Sequence, residues 1–322
     1  MWYPQLTIVD VKHGGIDQSN LSVTSEQSTK KTVALFSGGV DSFYTLLRRR
    51  TPKNEGTTLP VIGELHGILN VWGFDIPLDK EDEYREIENL LDSVSAAYGV
   101  KNHSVKTNIK QTRFSRALWG GLSHGAALAG IGHLFSNDYS ELLIGSSHAL
   151  PDLQRWGSHA LTDPLFSSMG MTIVHDGANA SRVEKTSLVA QSTYSLQKLR
   201  VCWKHGAANN CSSCPKCLRT MTTLKLLGKE KEASSFDFSN FSPKLLTTLH
   251  LQDASDVSFI DEILDLAAEY KNKEILEGLQ TAKNKSKVYS TLVNVLGKLQ
   301  ALPFVWRYRE KLIKSVLSSR TT

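Results

Sequence analysis

The sequence predicts an α/β fold, in which a parallel sheet carries helices on both faces, a short N-terminal arm precedes it and a helical C-terminal region follows it. Three observations predict this fold class. Short apolar runs alternate with segments of helical period from residue 31 onwards, as they do in parallel sheets with crossover helices. The first apolar run leads through two glycines directly into a helix. Beyond residue 228 the sequence keeps a helical period and has no further strand pattern.

The sheet is predicted from its apolar runs and the helices from their spacing. Within residues 1–30, one alternating segment and a polar tract predict an arm or a hairpin. Four apolar runs predict strands at 32–37, 64–74, 103–109 and 140–147. Helices are predicted at 41–50, at 81–100 with a stop at Gly99, at 116–135 and at 185–189.

The C-terminal part differs in composition from the sheet region. A charged connector at 229–240 is followed by segments of helical period at 259–270, 273–283 and 289–317. We therefore predict three domains, at 1–30, 31–228 and 229–322.

Length and composition predict a soluble protein with a full hydrophobic core. The chain has 322 residues, is 40% hydrophobic and carries a formal charge of +5, which gives little support for nucleic-acid binding. No apolar run reaches the length of about 20 residues that a membrane span needs, and the N-terminus lacks the pattern of a signal peptide. The predicted location is the cytoplasm, with no membrane association.

The segment SGGVDS, residues 37–42, lies between the first predicted strand and the first helix. Backbone N–H groups and the helix dipole can hold phosphate at such a junction. The segment matches neither the GxxxxGK loop nor GxGxxG. The alternative is an ordinary strand–helix turn in which Asp41 or Ser42 caps the helix.

SGGVDS resembles the pyrophosphate loop of the N-type ATP pyrophosphatases. The resemblance implies a Rossmann-like fold of the adenine nucleotide alpha hydrolase type, binding of ATP with Mg²⁺, attack of a substrate oxygen on the α-phosphate and release of pyrophosphate. It also implies that the motif aspartate, Asp41, lies beside the phosphates and their magnesium. The residues predicted to bind the nucleotide are Ser37, Gly38, Gly39, Val40, Asp41, Ser42 and, after the fourth predicted strand, Gly145.

The four cysteines of the chain all lie between residues 202 and 217, with the spacing C-x8-C-x2-C-x2-C. Four thiolates at this spacing can close a tetrahedral Zn²⁺ site, which leaves no open position and is therefore structural. The predicted ligands are Cys202, Cys211, Cys214 and Cys217. The alternatives are four unrelated buried thiols, or an iron–sulfur cluster on three of them with Cys202 free as a sulfur carrier.

Together, the two motifs are similar to those of 7-cyano-7-deazaguanine synthase, which makes a nitrile from a carboxylate, ammonia and ATP. The resemblance covers residues 31–228. The segment 145–170 departs from the substrate-binding pattern of that synthase, so the fold and the adenylation chemistry transfer more safely than the deazapurine substrate.

Polar side chains follow the fourth predicted strand, at the edge where ligands of open α/β folds bind. We predict that His148, Arg155, His159, Asp163 and, further along, Arg182 bind the second substrate. Lys185 is predicted to be catalytic by supporting the α-phosphate, together with Asp41 and Ser42. The alternatives are that the loop side chains cap local turns and that Lys185 lies solvated on a surface helix.

These observations predict an ATP-dependent carbon–nitrogen ligase. It would adenylate a carboxylate or amide oxygen with release of pyrophosphate, and ammonia or an amine would then displace AMP. The acceptor could be a small molecule or a protein terminus, and a homodimer is a candidate assembly. The alternatives are a tRNA sulfurtransferase of the same superfamily and a noncatalytic scaffold that binds nucleotide.

Overall fold

A computed structural model describes the backbone of residues 8–13, 31–53, 55, 61–202 and 209–299, and the side chains of those between 31 and 287. A six-stranded sheet lies at its centre. The strands are β1 (Ile8–His13), β2 (Thr32–Leu35), β3 (Gly67–Trp72), β4 (Lys101–Thr107), β5 (Glu141–Gly145) and β6 (Thr172–Asp176).

The sheet has the strand order β1-β4-β3-β2-β5-β6. Strands β2 to β6 are parallel, and β1 pairs antiparallel with β4 at one edge. The predicted α/β class with a parallel sheet is therefore confirmed. In the N-terminal 30 residues, the strand β1 is part of the main sheet, and the rest of the predicted arm or hairpin lies outside the described residues.

The sequence predicts four parallel strands, and the structure has a fifth, β6. This strand was missed because it lies at the sheet edge and is only partly buried. Only Ile173 and Asp176 of its five residues are buried, so its sequence lacks the continuous apolar run of the central strands.

The helices surround this sheet. They are α1 (Val40–Leu47), α2 (Glu81–Tyr98), α3 (His124–His133), α4 (Arg182–Val189), α5 (Thr193–Lys198), α6 (Pro215–Leu226), α7 (Pro243–Leu246), α8 (Ala254–Glu269) and α9 (Lys273–Leu299). The predicted stop at Gly99 is confirmed, since Gly99 adopts the left-handed C-cap conformation with φ +67°.

The helix predicted at 116–135 is shorter than expected. Only α3 is α-helical there, and residues 119–123 form a π-helical turn. A neighbouring segment explains the difference, because the Gly157 N–H donates to the Gly120 carbonyl at 2.8 Å. That carbonyl is bonded to another part of the chain instead of to a continuing helix.

The two faces of the sheet carry separate cores. Ala34 and Leu143 pack with α1, α2 and α6 on one face. Val33 and Leu142 pack with α3 on the other face. This alternation along β2 and β5 follows from the two-residue period of a strand and agrees with helices lying on both faces.

The neighbouring strands β2 and β5 mark the point where the strand order reverses. Strands β3 and β4 lie on one side of this pair and β6 lies on the other. In open α/β sheets such a switch point creates a crevice at the carboxyl ends of the strands. Asp176, at the end of β6, fixes α1 beside this crevice by accepting hydrogen bonds from Thr45 at 2.8 Å and Arg49 at 3.1 Å.

The C-terminal helices have a core of their own that also reaches α4 and α6. Leu246 of α7, Ile260 of α8 and Ile275 of α9 pack with Val183 and Leu218 in this core. The predicted boundary near residue 228 stays a prediction. Within the described part of the chain, no helix combines the length and the apolar character that crossing a bilayer requires.

Candidate active site

The loop after β2 places glycines where the backbone needs them. Gly38 has φ +78°, a conformation that glycine adopts without steric cost. The Arg200 N–H donates to its carbonyl at 2.7 Å. Gly39 is the N-cap of α1 and supplies no side-chain cap, while the Ser42 hydroxyl donates to the Gly39 carbonyl at 2.9 Å. The start of α1 therefore has the backbone geometry that suits an anionic ligand.

Asp41 lies in the first turn of α1 between two cations of α4. Its Oδ2 is 3.0 Å from Arg182 Nη1, and its Oδ1 is 3.6 Å from Lys185 Nζ. Oδ1 is also buried without a hydrogen-bond donor among the described residues. The two predicted site residues of α4 therefore meet the motif aspartate.

Lys185 is a buried residue with only 1% of its surface exposed. Its Nζ donates to the Ser146 carbonyl at 2.6 Å, and burial lowers the pKa of its ammonium group while Asp41 opposes that shift. The alternative of a solvated lysine is therefore wrong. The predicted helix start at Lys185 is also wrong, because a capping box of Ser181 and Glu184 begins α4 at Arg182.

Gly145, at the end of β5, allows α1 to approach the sheet closely. A Cβ atom at this position would lie 3.3 Å from the backbone and the Cβ of Asp41. A larger side chain would displace the motif aspartate.

The crevice at this edge has two lobes. The mixed lobe is lined by apolar side chains that include Leu35, Leu69, Phe74, Trp119 and Ile144, and by polar ones that include Ser42, Asn70, His124 and Ser158, with Gly145. The basic lobe is formed by Arg182, Arg200, Lys216 and Arg219, with Gly39, Val40, Phe259 and Ile263. Ser37, Asp41, Asp75, Ser147 and Lys216 line both lobes, so the loop after β2 lies where they meet.

The four cysteines converge as their spacing predicts. All four Sγ atoms lie within 4.8 Å of one another, and the Cys211–Cys217 and Cys214–Cys202 pairs are each 3.9 Å apart. A tetrahedral ion with Zn–S bonds of about 2.3 Å separates its sulfur ligands by about 3.8 Å. The cluster could therefore bind a metal such as zinc.

The local backbone prepares these cysteines for a metal. The N–H of Cys214 donates to Cys211 Sγ at 3.3 Å, and that of Cys217 donates to Cys214 Sγ at 3.5 Å. The hydrogen bond between the two thiols lowers the pKa of Cys214 to about 4 and raises the pKa of Cys217, so within this pair Cys214 takes the thiolate form that binds metals. The Asn210 side chain accepts from the Cys202 N–H at 3.2 Å and donates to the Leu199 carbonyl at 2.8 Å, so it holds the residue before Cys211 against the backbone around Cys202.

The structure does not bring three of the predicted substrate residues to the crevice. Asp163 is fully buried and accepts from Ser158 Oγ at 2.6 Å and from the His159 N–H at 3.0 Å. His159 Nδ1 accepts from the Leu161 N–H at 3.1 Å. Arg155 is exposed. None of the three lines either lobe, so the geometry favours the alternative in which Asp163 and His159 organise local turns.

His148 lies against the site but does not line either lobe. Its ring stacks on Phe259, with the centroids 5.3 Å apart and the planes 5° apart. Burial, followed by the positive charge of Arg182, lowers the pKa of the imidazole. Both effects favour the neutral form of this buried ring.

Sequence reasoning missed four residues of the basic lobe that come from one face of α6. Lys216, Arg219, Thr220 and Thr223 line this lobe, and the last three lie three, four and seven residues after the first. Such a polar stripe directly after the cysteines could have been found from the sequence. Arg200 and Phe259 carry no comparable signal, because only the fold brings them to the loop after β2.

In comparisons with protein-family models, curated proteins and solved structures, no match to this chain was found.

Proposed function

We propose that this protein is an ATP-dependent enzyme of the N-type ATP pyrophosphatase superfamily, similar to 7-cyano-7-deazaguanine synthase in its chemistry. The observation that carries the proposal is the convergence of Asp41, Arg182 and Lys185 at an uncapped helix start at the switch point of the sheet. Three charged side chains held at a junction that can hold phosphate fit the transfer of an adenylyl group better than a simple structural turn.

The crevice could hold the adenosine and the triphosphate of ATP in different parts. The adenosine would occupy the mixed lobe, where apolar side chains could contact the base and polar ones the sugar, and the triphosphate would lie against the start of α1. Asp41 Oδ1 is buried without a described hydrogen-bond donor, so Asp41 fits as a ligand of Mg²⁺. When bound, Mg²⁺ would neutralise charge on the phosphate oxygens.

The reaction would proceed in two displacements. An oxygen of the acceptor's carboxylate or amide forms a bond to the α-phosphorus, and the bond from that phosphorus to the bridging oxygen breaks, which releases pyrophosphate. Ammonia or an amine then forms a bond to the activated carbon, loses a proton and displaces AMP. Lys185 and Arg182 would hold the charge that grows on the phosphate oxygens, and positioning would supply much of the remaining rate.

The cysteine cluster would bind Zn²⁺ in a structural role. Four thiolates fill a tetrahedral coordination shell, and Cys202 is 3% exposed and lies among the other three. This arrangement favours a closed metal site over a free Cys202 that carries sulfur, so the ligase is our proposal in preference to the tRNA sulfurtransferase.

The test is pyrophosphate release from ATP and Mg²⁺ in the presence of ammonium and a panel of small carboxylates. Wild-type protein should release pyrophosphate and AMP in equal amounts with at least one carboxylate. Asp41→Asn should lower this rate by about 100-fold or more, while Asp79→Asn, an exposed carboxylate outside the crevice, should not. Undiminished turnover by Asp41→Asn would remove the loop from the mechanism, and ATP binding without release would indicate the noncatalytic scaffold.

A further inference from the structure

Helix α8 belongs to the region that sequence reasoning separates from the catalytic domain, yet it contacts the site at three points. The N–H of Val183, in the first turn of α4, donates to Glu262 Oε2 at 3.0 Å. Ser255 Oγ is 3.4 Å from His148 Nε2. Phe259 lies in the wall of the basic lobe. The C-terminal region therefore supports the residues that hold Asp41.

Phe259 is the centre of these contacts. The guanidinium carbons of Arg182 and Arg219 lie 5.1 Å and 5.0 Å from its ring centroid, within the range of cation–π attraction. The His148 ring stacks on the same phenyl group. One aromatic side chain of α8 therefore contacts both the arginine that pairs with Asp41 and a second arginine of α6.

Arg219 is held from α8 by a second contact. Its Nη1 donates to Asp256 Oδ1 at 2.7 Å, and the side chain is 14% exposed. The ion pair and the phenyl contact fix a guanidinium at the wall of the basic lobe. Planar guanidinium groups match carboxylate and phosphate oxygens in pairs of hydrogen bonds, and the apolar atoms of Phe259 and Ile263 limit access of water around such contacts.

We propose that Arg219 binds an anionic group in the basic lobe, either a phosphate or a carboxylate, and that Phe259 of α8 is a positioning residue that holds Arg219 and Arg182 for this contact. The inference rests on the proposed function for its biological meaning, since the anion would be the pyrophosphate end of ATP or the carboxylate of the acceptor. The binding itself requires no turnover.

The experiment measures binding of two probes to the full chain by calorimetry. Inorganic pyrophosphate represents the phosphate source, and benzoate represents the carboxylate source, with benzamide as its neutral counterpart. Arg219→Gln should weaken at least one anion by about tenfold or more, whereas Arg85→Gln, an exposed residue of α2, should leave both unchanged. A loss for pyrophosphate alone assigns the lobe to the leaving group, and a loss for benzoate alone assigns it to the acceptor.

The role of Phe259 is tested by rescue. Phe259→Leu should weaken the same anion as Arg219→Gln does, and Phe259→Tyr, which keeps the ring, should restore its affinity. A role in packing alone would lower the melting temperature of Phe259→Leu without this selective change.

The proposal is wrong if Arg219→Gln binds both anions as wild-type protein does, or if wild-type protein binds neither anion. It is also wrong if wild-type protein binds benzamide as tightly as benzoate and Arg219→Gln leaves the affinity for pyrophosphate unchanged. Failure of the proposed function gives a different result. Absence of pyrophosphate release with intact, Arg219-dependent anion binding would refute the ligase and retain this site.

Discussion

The cysteine segment, 202–217, and the loop at 147–166 both converge on a buried centre, but the two centres differ. In the cysteine segment four sulfur atoms face one another within 4.8 Å, an arrangement that a cation stabilises when it joins thiolates. In the loop the centre is the carboxylate of Asp163, which Ser158, the His159 N–H and His175 all contact within 3.0 Å. A centre in which four thiol sulfur atoms face one another indicates a cation ligand, whereas a centre whose carboxylate oxygens are hydrogen-bonded by the chain indicates a folded turn.

Among the experiments that test this difference between the two centres, removal of the metal should have the largest effect. We expect about one zinc per chain, and Cys214→Ser should lower the free energy of unfolding by about 4 kcal/mol or more, because a structural site contributes its binding energy to folding. Metal analysis and thermal unfolding measure both quantities. Ser234→Ala, at an exposed position, is the control.

The opposite result would be clear. If Cys214→Ser contained no metal and unfolded at the same temperature as wild-type protein, the segment would be an ordinary set of buried thiols. Iron in place of zinc would restore the cluster alternative.

Asp163→Asn tests the second centre and should have the next largest effect. The amide keeps the size of the carboxylate but removes the charge opposite His175, whose Nδ1 is 2.7 Å from Asp163 Oδ2. We expect a loss of about 3 kcal/mol in the free energy of unfolding, because one partner of a buried pair is lost. Affinity for ATP should stay at the wild-type value.

The control for this variant is Asp152→Asn, which makes the same chemical change at a less buried position of the same loop. It should change stability by less than about 0.5 kcal/mol. If Asp163→Asn unfolded normally but lost turnover, the loop would belong to the substrate site, as the composition of the sequence first predicted.

The contrast between these regions explains what the sequence could predict. The spacing of residues along the chain predicts which of them come together in a ligand site or a tight turn, as with Cys214 and Cys217 or with the glycines before Asp41. The composition of a polar loop does not distinguish a side chain that faces a ligand from one that faces its own backbone, as with Asp163. The short edge strand β6 lacked an apolar run. Phe259 could not be found at all, since its contact with Arg182 depends on how α8 packs against α4.

A change at His148 should have the smallest of the expected effects. This residue belongs to the loop at 147–166, like Asp163, but one of its ring nitrogens lacks a hydrogen-bond partner in the part of the chain that the structure describes, so it does not fit the description of a fully hydrogen-bonded turn. Its Nδ1 is buried without a hydrogen-bond partner among the described residues. The charged groups that act on it are the cations Arg182 and Lys185 and the carboxylates of Asp41 and Asp253. Burial and Arg182 together lower the pKa of the imidazole, so the folded protein favours the neutral ring.

The sign of the pH dependence follows from this direction. As the pH falls through about 6.5, the ordinary histidine pKa, the unfolded chain binds a proton before folded His148 does. Stability is therefore present above that pH and is lost as the pH falls through the folded pKa.

His148→Gln should reduce this loss between pH 7.5 and 5.5, by at most about 1.4 kcal/mol per pH unit for one group. Thermal unfolding at several pH values measures the slope, and His133→Gln, at the end of α3, is the control. His124, whose pKa burial also lowers, and the thiolates change stability in the same direction in all three proteins, so the difference in slope isolates His148. An unchanged slope in His148→Gln would mean that the ring accepts a proton in the folded protein, and its stacking on Phe259 would then add its positive charge to those of Arg182 and Arg219.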